Sequence, residues 1–215
     1  MLRFDIINSF IEKRFDSSCK YLEIGVRNPD DCFNFIKSEN KMSLDPCYEF
    51  TSFTPTFNMT SDEFFIALDM GETSLDKDYK WDIIFIDGLH LANQCYRDIM
   101  NSINHTSDNG LVILHDCNPP EWQMAHSDYD AYLQSPTFWN GTCWKALYYA
   151  KTNLSYNIYT VDTDWGVGII DKSIKTTPIE FSNIFFEFGE MKKTRQQSLG
   201  LITVQDFIKK LDLSV

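Results

Sequence analysis

Asp87 and His90, three residues apart, follow the apolar run Ile83-Ile84-Phe85-Ile86, and a second such run, Leu111-Val112-Ile113-Leu114, ends in His115-Asp116. Carboxylates and imidazoles are the side chains that carry protons near neutral pH and hold metal ions. Two apolar strands delivering them at their carboxyl ends is how an open α/β sheet builds a reaction site. The pattern points to an enzyme. Strand alternation turns His115 away from Asp116 and so away from the site. His105 and His126 read as surface or loop residues.

A third chemical feature is the turn after Tyr21-Leu22-Glu23-Ile24-Gly25. A dinucleotide fingerprint needs G-x-G-x-x-G, so that backbone can approach a pyrophosphate. Only Gly25 is present, followed by Val26, Arg27 and Asn28. Glu23, Asp30 and Asp31 around this turn repel a pyrophosphate and suit a ligand with positive charge. Asp45 falls about twenty residues later, at the end of the next strand, where an acid grips vicinal ribose hydroxyls.

The elements that must position these residues follow from hydrophobic period and from caps. Phe4, Ile7, Phe10, Ile11 and Phe15 predict a helix over about 4–18. Asn28-Pro29-Asp30-Asp31 reads as a helix start, running to about Ser38. Strands are expected at 21–25, 42–44, more weakly at 54–59, and at 81–87. Thr60-Ser61-Asp62-Glu63 is a capping box that opens a helix with Phe64, Phe65 and Leu68 inward. Leu91, Cys95, Ile99 and Ile103 mark a helix over 91–103, and Asp108-Asn109-Gly110 a turn before the 111–114 strand. Residues 117–137 read as a loop without period, 139–151 as a helix. Strands at 156–161 and 166–170 are too close for a crossover and must pair antiparallel. Sheet character ends at Lys172, and a last helix over 202–213 turns Val204, Phe207, Ile208 and Leu211 inward.

Composition narrows the class. The chain has 215 residues, enough for one sizeable α/β domain, with a formal net charge of −12. That charge repels phosphate backbones and anionic lipid, so nucleic acid and membrane are not expected partners. No basic-then-apolar leader opens the sequence, and no apolar run has the length of a membrane span. The six cysteines form no C-x-x-C pair and read as free thiols of a cytoplasmic protein.

Taken together, Tyr21-Leu22-Glu23-Ile24-Gly25, Asp45, Phe85-Ile86-Asp87-Gly88 and Gly110-Leu111-Val112-Ile113-Leu114-His115-Asp116 resemble a class I S-adenosylmethionine-dependent methyltransferase. The similarity is greatest to the branch with macrolide and sugar O-methyltransferases. It covers roughly residues 19–172, and the glycine turn departs from the usual E/D-x-G-x-G. The resemblance implies a Rossmann-like, mostly parallel sheet with an antiparallel C-terminal edge hairpin and helices on both faces. Residues 1–172 would form that domain, and 173–215 a helical extension packed on it.

The resemblance also implies roles. Glu23 and the Gly25 backbone would face the methionine part of S-adenosylmethionine, Asp45 the ribose, and Ser61 and Asp62 the adenine, with Arg27 and Asp87 also among the cofactor-binding residues. An acceptor hydroxyl is poorly acidic, so a general base or a metal is expected. In the sugar enzymes the strand-end aspartate helps to hold Mg²⁺ and the histidine three residues on is the base, here Asp87 and His90. Asp116 and, through its carbonyl, Asn118 would complete the metal set. Trp122, Tyr129, Tyr132 and Trp139 could roof a small hydroxylated acceptor such as a sugar, with Phe138 and Trp144 in the core. Two other readings stand beside this one: a metal-dependent hydrolase or oxygenase using the same strand ends, and a non-catalytic binding relative. Oligomeric state is not readable.

Overall fold

The computed structural model describes residues 1–134 and 138–213. Seven strands form one sheet: β1 (Lys20–Ile24), β2 (Asn40–Leu44), β3 (Trp81–Ile86), β4 (Thr106–Leu114), β5 (Tyr156–Val161), β6 (Val167–Lys175) and β7 (Leu201–Ile202). Their order is β2-β1-β3-β4-β6-β5-β7. The first four run parallel, and β6 lies antiparallel to both β4 and β5. This is the expected doubly wound sheet, with its strand reversal in the C-terminal half. The carboxyl ends of β1, β2, β3 and β4 open on one side.

Alternation along the strands sends side chains to two cores. Leu22, Ile24, Ile84, Ile86, Val112 and Leu114 pack against α2 (Ser61–Met70), α3 (Ala92–His105) and α5 (Cys143–Asn153). On the other face, Tyr21, Ile83, Phe85, Leu111 and Ile113 meet α1 (Arg3–Phe10) and α8 (Val204–Asp212). Burial on both faces is why these strands read as continuous apolar runs. No helix among the described residues is long and apolar enough to cross a membrane.

Several local expectations are corrected. The 28–38 segment is not an α-helix: Asn28 caps Asp30 as expected, but the chain makes two 3₁₀ turns, Pro29–Asp31 and Phe33–Phe35, broken at Cys32. Asp, Asn, Cys and Phe are indifferent helix formers, and Cys32 is drawn into the core under β1. The 54–59 strand is reduced to one bridge, Leu44 with Phe57. Asp108-Asn109-Gly110 lies inside β4 as a bulge, because Trp81 pairs with Thr106 and Ile83 with Leu111. α1 continues as a π-helical turn, Ile11–Phe15, and the helix ends three residues early. The 117–137 loop contains a 3₁₀ turn, Trp122–Met124, and α4 (Tyr129–Gln134). Its last residues, 135–137, lie outside the described residues. α5 starts at Cys143, later than expected, because Gly141 at φ +60 sits in the approach to it.

The C-terminal segment also departs from expectation. β6 extends to Lys175, and β7 adds a short parallel edge to β5, so the hairpin is not the edge of the sheet. In α8, Phe207 and Leu211 are buried, but Ile208 faces solvent. α6 (Phe188–Lys193) and α7 (Arg195–Leu199) place Met191 and Leu199 in a small third core with Trp144 and Tyr148.

Candidate active site

The carboxyl ends of β1 and β3 are pinched together. Gly25 has φ +83, and a Cβ on it would fall 2.2 Å from the Gly88 Cα. The Asp87 N–H donates to the Ile24 carbonyl at 2.9 Å, and the Gly25 N–H to that of Leu44. This close approach explains the lone glycine of the turn. The next residues are held by Asp45, which accepts from the Arg27 N–H at 2.8 Å and the Cys47 N–H at 2.6 Å. Arg27 and Cys47 both sit at positive φ, as do Asp116, Asp164 and Trp165 across the cleft. Strained backbone of this kind gathers where surrounding structure must aim side chains.

A cavity of about 650 Å³ opens here. It is lined by Glu23, Gly25, Arg27, Asp45, Ser61, Asp87, His90 and Asp116, so eight of the ten residues predicted from sequence share one space. The other two do not join them. Asp62 turns outward and pairs with Arg97 at 3.1 Å. Asn118 donates to Asp162, and its carbonyl accepts from Arg195, so its amide is committed elsewhere. A more open hollow of about 700 Å³ lies near the opposite ends of the strands. Its cation, Arg14, is already paired with Asp171 at 2.9 Å.

Glu23 is buried, and the Tyr21 hydroxyl donates to it at 2.5 Å. Burial pushes its carboxyl up to about 8, with Asp87 adding to the push and Tyr21 and Arg3 opposing it. Asp98, on α3, is likewise buried beside Ser61, accepts from Gln94 at 3.1 Å, and is pushed up to about 6 by burial.

At the other end of the cavity lies a cluster of acids and imidazoles. His90 Nε2 is 3.4 Å from Asp87 Oδ1 and 3.4 Å from Asp116 Oδ2. His115 Nδ1 reaches the same two oxygens at 3.3 and 3.1 Å. The expectation that His115 points away is therefore wrong. Asp116 has φ +58, which breaks the strand alternation just after β4 and lets both side chains converge. Asp164, at the tip of the β5–β6 hairpin, and Arg3, at the start of α1, close the cluster: Arg3 lies 3.5 Å from Asp87 and 3.3 Å from Asp164.

Burial acts against charge in this cluster, but mutual attraction wins. Although desolvation opposes it, His115, His90 and Arg3 hold Asp87 well below the usual carboxylate range. Against the same desolvation, Asp116 and Asp87 lift His90 to about 9. Asp87, Asp116 and Asp164 lift His115 well above the ordinary imidazole value. His105 is not on the surface: it is buried at the end of α3, stacked on Phe65, and its pKa is lowered by burial.

His90 is held by the turn that precedes α5. Its Nδ1 lies 3.0 Å from the Trp139 carbonyl, and its ring stacks on Trp139 at 5.3 Å. The Thr142 N–H donates to the His90 carbonyl at 2.8 Å. Asn140, in the same turn, is buried and donates to Asp116. Tyr129, Tyr132, Phe138, Trp139 and Trp165 form the aromatic wall. Phe138 is exposed at the mouth, stacked on Trp165 at 5.1 Å, not in the core; Trp122 lies outside the cavity and Trp144 beneath it. Sequence reading missed Arg3, Asp98, Asn140 and Asp164. Only Asn140, beside a turn-forming glycine, carried any local signal.

A family model described as a methyltransferase domain matches residues 31–117, from the acid-rich turn to the end of β4. No curated protein matches the chain. Among solved structures, a protein from Corynebacterium glutamicum is 9% identical with a TM-score of 0.48, over 79% of this chain and 80% of that one. The MycE methyltransferase of the mycinamycin biosynthetic pathway, in complex with Mg and SAH, is 15% identical with a TM-score of 0.44. The overlap takes in 81% of this chain and 49% of MycE, so the chain spans about half the length of that protein. The strand order and the domain match point the same way: over residues 31–117 the chain matches a methyltransferase-domain model, and those residues lie on a mostly parallel, Rossmann-like sheet.

Proposed function

We propose that the chain transfers the methyl group of S-adenosylmethionine to a hydroxyl of a small acceptor, of the sugar or secondary-metabolite class. The observation that carries this reading is one acid-lined cavity shared by Glu23, Asp45 and the Asp87–His90–Asp116 cluster. Glu23 and the Gly25 backbone meet the cationic methionine end, and the left-handed Arg27 keeps the turn open. Asp45 takes the ribose hydroxyls. Ser61, with Asp98 and Gln94 behind it, borders the adenine. The aromatic wall offers flat faces to the C–H surface of an acceptor and excludes water. An acidic, aromatic-walled cleft in a chain of net charge −12 favours a small neutral or cationic acceptor over nucleic acid.

Methyl transfer is an in-line displacement, and alignment with desolvation supplies much of the rate. The acceptor hydroxyl must then lose its proton at the cluster. The Trp139 carbonyl holds Nδ1 of His90, which leaves Nε2 as the atom to receive that proton once the ring, lifted to about 9, has given up its own. Asp87 and Asp116 orient the ring and stabilise its charged form.

Asp87, His90 and Asp116 offer ligand atoms within 4.8 Å of one another, so the donor set fits a divalent cation. A cation bound there would acidify the acceptor hydroxyl. Asp62 and Asn118 have no part in this reading.

Calorimetric titration tests it. S-Adenosylmethionine should bind one per chain while NAD gives no heat, and label from the methyl group should appear on a hydroxylated acceptor. Binding of NAD without binding of S-adenosylmethionine would overturn the reading.

A further inference from the structure

We propose that Arg195, the first residue of α7, is a positioning residue: through Asn118 and the two proline carbonyls that follow it, the C-terminal segment aims Asp116 and braces the acceptor side of the cavity. Its effect on turnover rests on the methyl-transfer reading; its effect on the imidazoles does not.

Asp116 needs support from outside itself. It sits at φ +58, a conformation that a non-glycine residue keeps only where surrounding structure over-determines it. The next two residues are tied to the β5–β6 hairpin: the Cys117 N–H donates to the Gly166 carbonyl at 2.9 Å, and the Asn118 N–H to that of Trp165 at 2.8 Å. The Asn118 side-chain amide donates to Asp162 at 3.0 Å. The fit on the hairpin side is tight, since a Cβ on Gly166 would fall 2.3 Å from the Asn118 nitrogen. Asn118 has no room to move inward, so any release is outward.

Arg195 stands on that outward side. Its guanidinium donates to the Asn118 side-chain carbonyl, to the Pro119 carbonyl at 2.8 Å and to the Pro120 carbonyl at 3.2 Å. Proline has no N–H, so Pro119 and Pro120 supply no donors to knit this stretch into a turn of its own. One planar fork of donors takes the place of that pairing, a task the point charge of a lysine does not perform. The fork is itself held. Its central carbon lies 5.7 Å from the Phe188 ring centroid, and Met191 and Leu199 on either side pack into the third core with Trp144 and Tyr148 of α5.

Further along, the same loop meets the turn that holds His90. The Asn140 N–H donates to the Met124 carbonyl at 3.0 Å, and the Trp139 indole N–H to the His126 carbonyl at 2.9 Å. Trp139 holds the His90 ring, and Asn140 donates to Asp116. The segment fixed at 118–120 therefore bears on both residues of the reacting cluster. The Gly25 turn and Asp45 are held instead by β1, β2 and the residues that follow them.

The test compares the full chain with Arg195→Lys, Asn118→Ala and the double variant. Proton–carbon spectra of the four imidazoles need neither cofactor nor acceptor. In Arg195→Lys the His90 and His115 signals should shift, while that of His105, stacked on Phe65 at the end of α3, should stay in place. Asn118→Ala should move the same two signals. The double variant should move them no further than the larger single change, as expected of residues that act through one another. With the labelled methyl group and a hydroxylated acceptor, kcat in Arg195→Lys should fall about tenfold to a hundredfold, the cost of a misplaced reacting group, with affinity for S-adenosylmethionine unchanged. A merely structural role would lower the melting temperature and the cofactor-binding fraction without that split.

Unmoved His90 and His115 signals in Arg195→Lys, a His105 signal that moves as far as theirs, additive shifts in the double variant, or cofactor affinity lost in step with kcat would each overturn the proposal. If Arg195→Lys does not fold, Asn118→Ala decides by the same imidazole readout. If the unaltered chain does not bind S-adenosylmethionine, the proposed function falls and the imidazole shifts still decide the role of Arg195.

Discussion

Glu23 shows how much a single buried acid can govern. Folding lifts its pKa from the usual carboxylate range to about 8, so between those values the folded chain holds a proton that the unfolded chain has lost. Raising the pH across that window therefore favours unfolding. Glu23→Gln cannot ionise, so its Tm should gain on the unaltered protein by on the order of 5 °C between pH 5 and pH 9. Scanning calorimetry of the cofactor-free proteins checks this, and a constant difference in Tm would contradict it. A cationic ligand should reverse the balance by drawing Glu23 into its charged form. Binding of S-adenosylmethionine at pH 7 should then release a proton in the unaltered protein, seen as heat that depends on the buffer, and this release should be absent in Glu23→Gln. In the proposed reading Asp45 holds the ribose hydroxyls by hydrogen bonds. Asp45→Ala should weaken cofactor binding about 10- to 100-fold, the cost of losing charged hydrogen bonds, as measured by equilibrium titration.

The pinch between β1 and β3 is a contact between elements. At Gly25 the φ of +83 disfavours any side chain, and the Gly88 backbone occupies the space a Cβ would need. Gly25→Ala must push the two strand ends apart. It should cost about 2 kcal/mol or more in urea unfolding and remove measurable cofactor binding. Wild-type affinity in that variant would show that the turn does not shape the site. The capping box of α2 is a smaller lever. The Thr60 hydroxyl accepts from the Glu63 N–H at 3.3 Å, while the Glu63 carboxylate accepts from the Thr60 N–H at 2.9 Å. Thr60→Ala should cost about 1 kcal/mol by the same measurement.

On the scale of the whole molecule, the last forty residues bear on whether the chain divides. Phe207 is fully buried against Phe10, with ring centroids 5.5 Å apart, and Leu211 shares that core. β7 pairs with β5 through Thr160–Leu201 and Val161–Ile202. We expect residues 173–213, the described part of the 173–215 extension, to fold only as part of the one domain. Phe207→Ala should cost about 3–5 kcal/mol in a single cooperative unfolding transition. Two separate transitions would show that the segment stands apart. The opposite terminus is tied in as well: the Arg3 N–H donates to Asp164 at 2.7 Å, and the Thr163 hydroxyl donates to the Met1 carbonyl at 2.6 Å. These contacts set the hairpin tip against the cluster of acids and imidazoles.

Local order was legible in the sequence because it is written in local terms. Apolar runs marked β1, β3 and β4, the Thr60–Glu63 box marked α2, and the acid-flanked lone glycine marked a turn that lines the cavity. Those strands are buried on both faces, and a cap is complete within four residues, so no distant partner was needed to read them. What lay beyond reach depended on partners far along the chain. His115 joins the cluster because a left-handed Asp116 cancels strand alternation, and no propensity announces that. Asn140 meets Asp116 across 24 residues and Arg3 meets Asp164 across 161, so only the closed fold brings them together. The sequence by itself determined which residue types stand at the strand ends. The tertiary structure decided which of them share a cavity, because burial and convergence there are set by backbone direction and long-range packing, not by spacing.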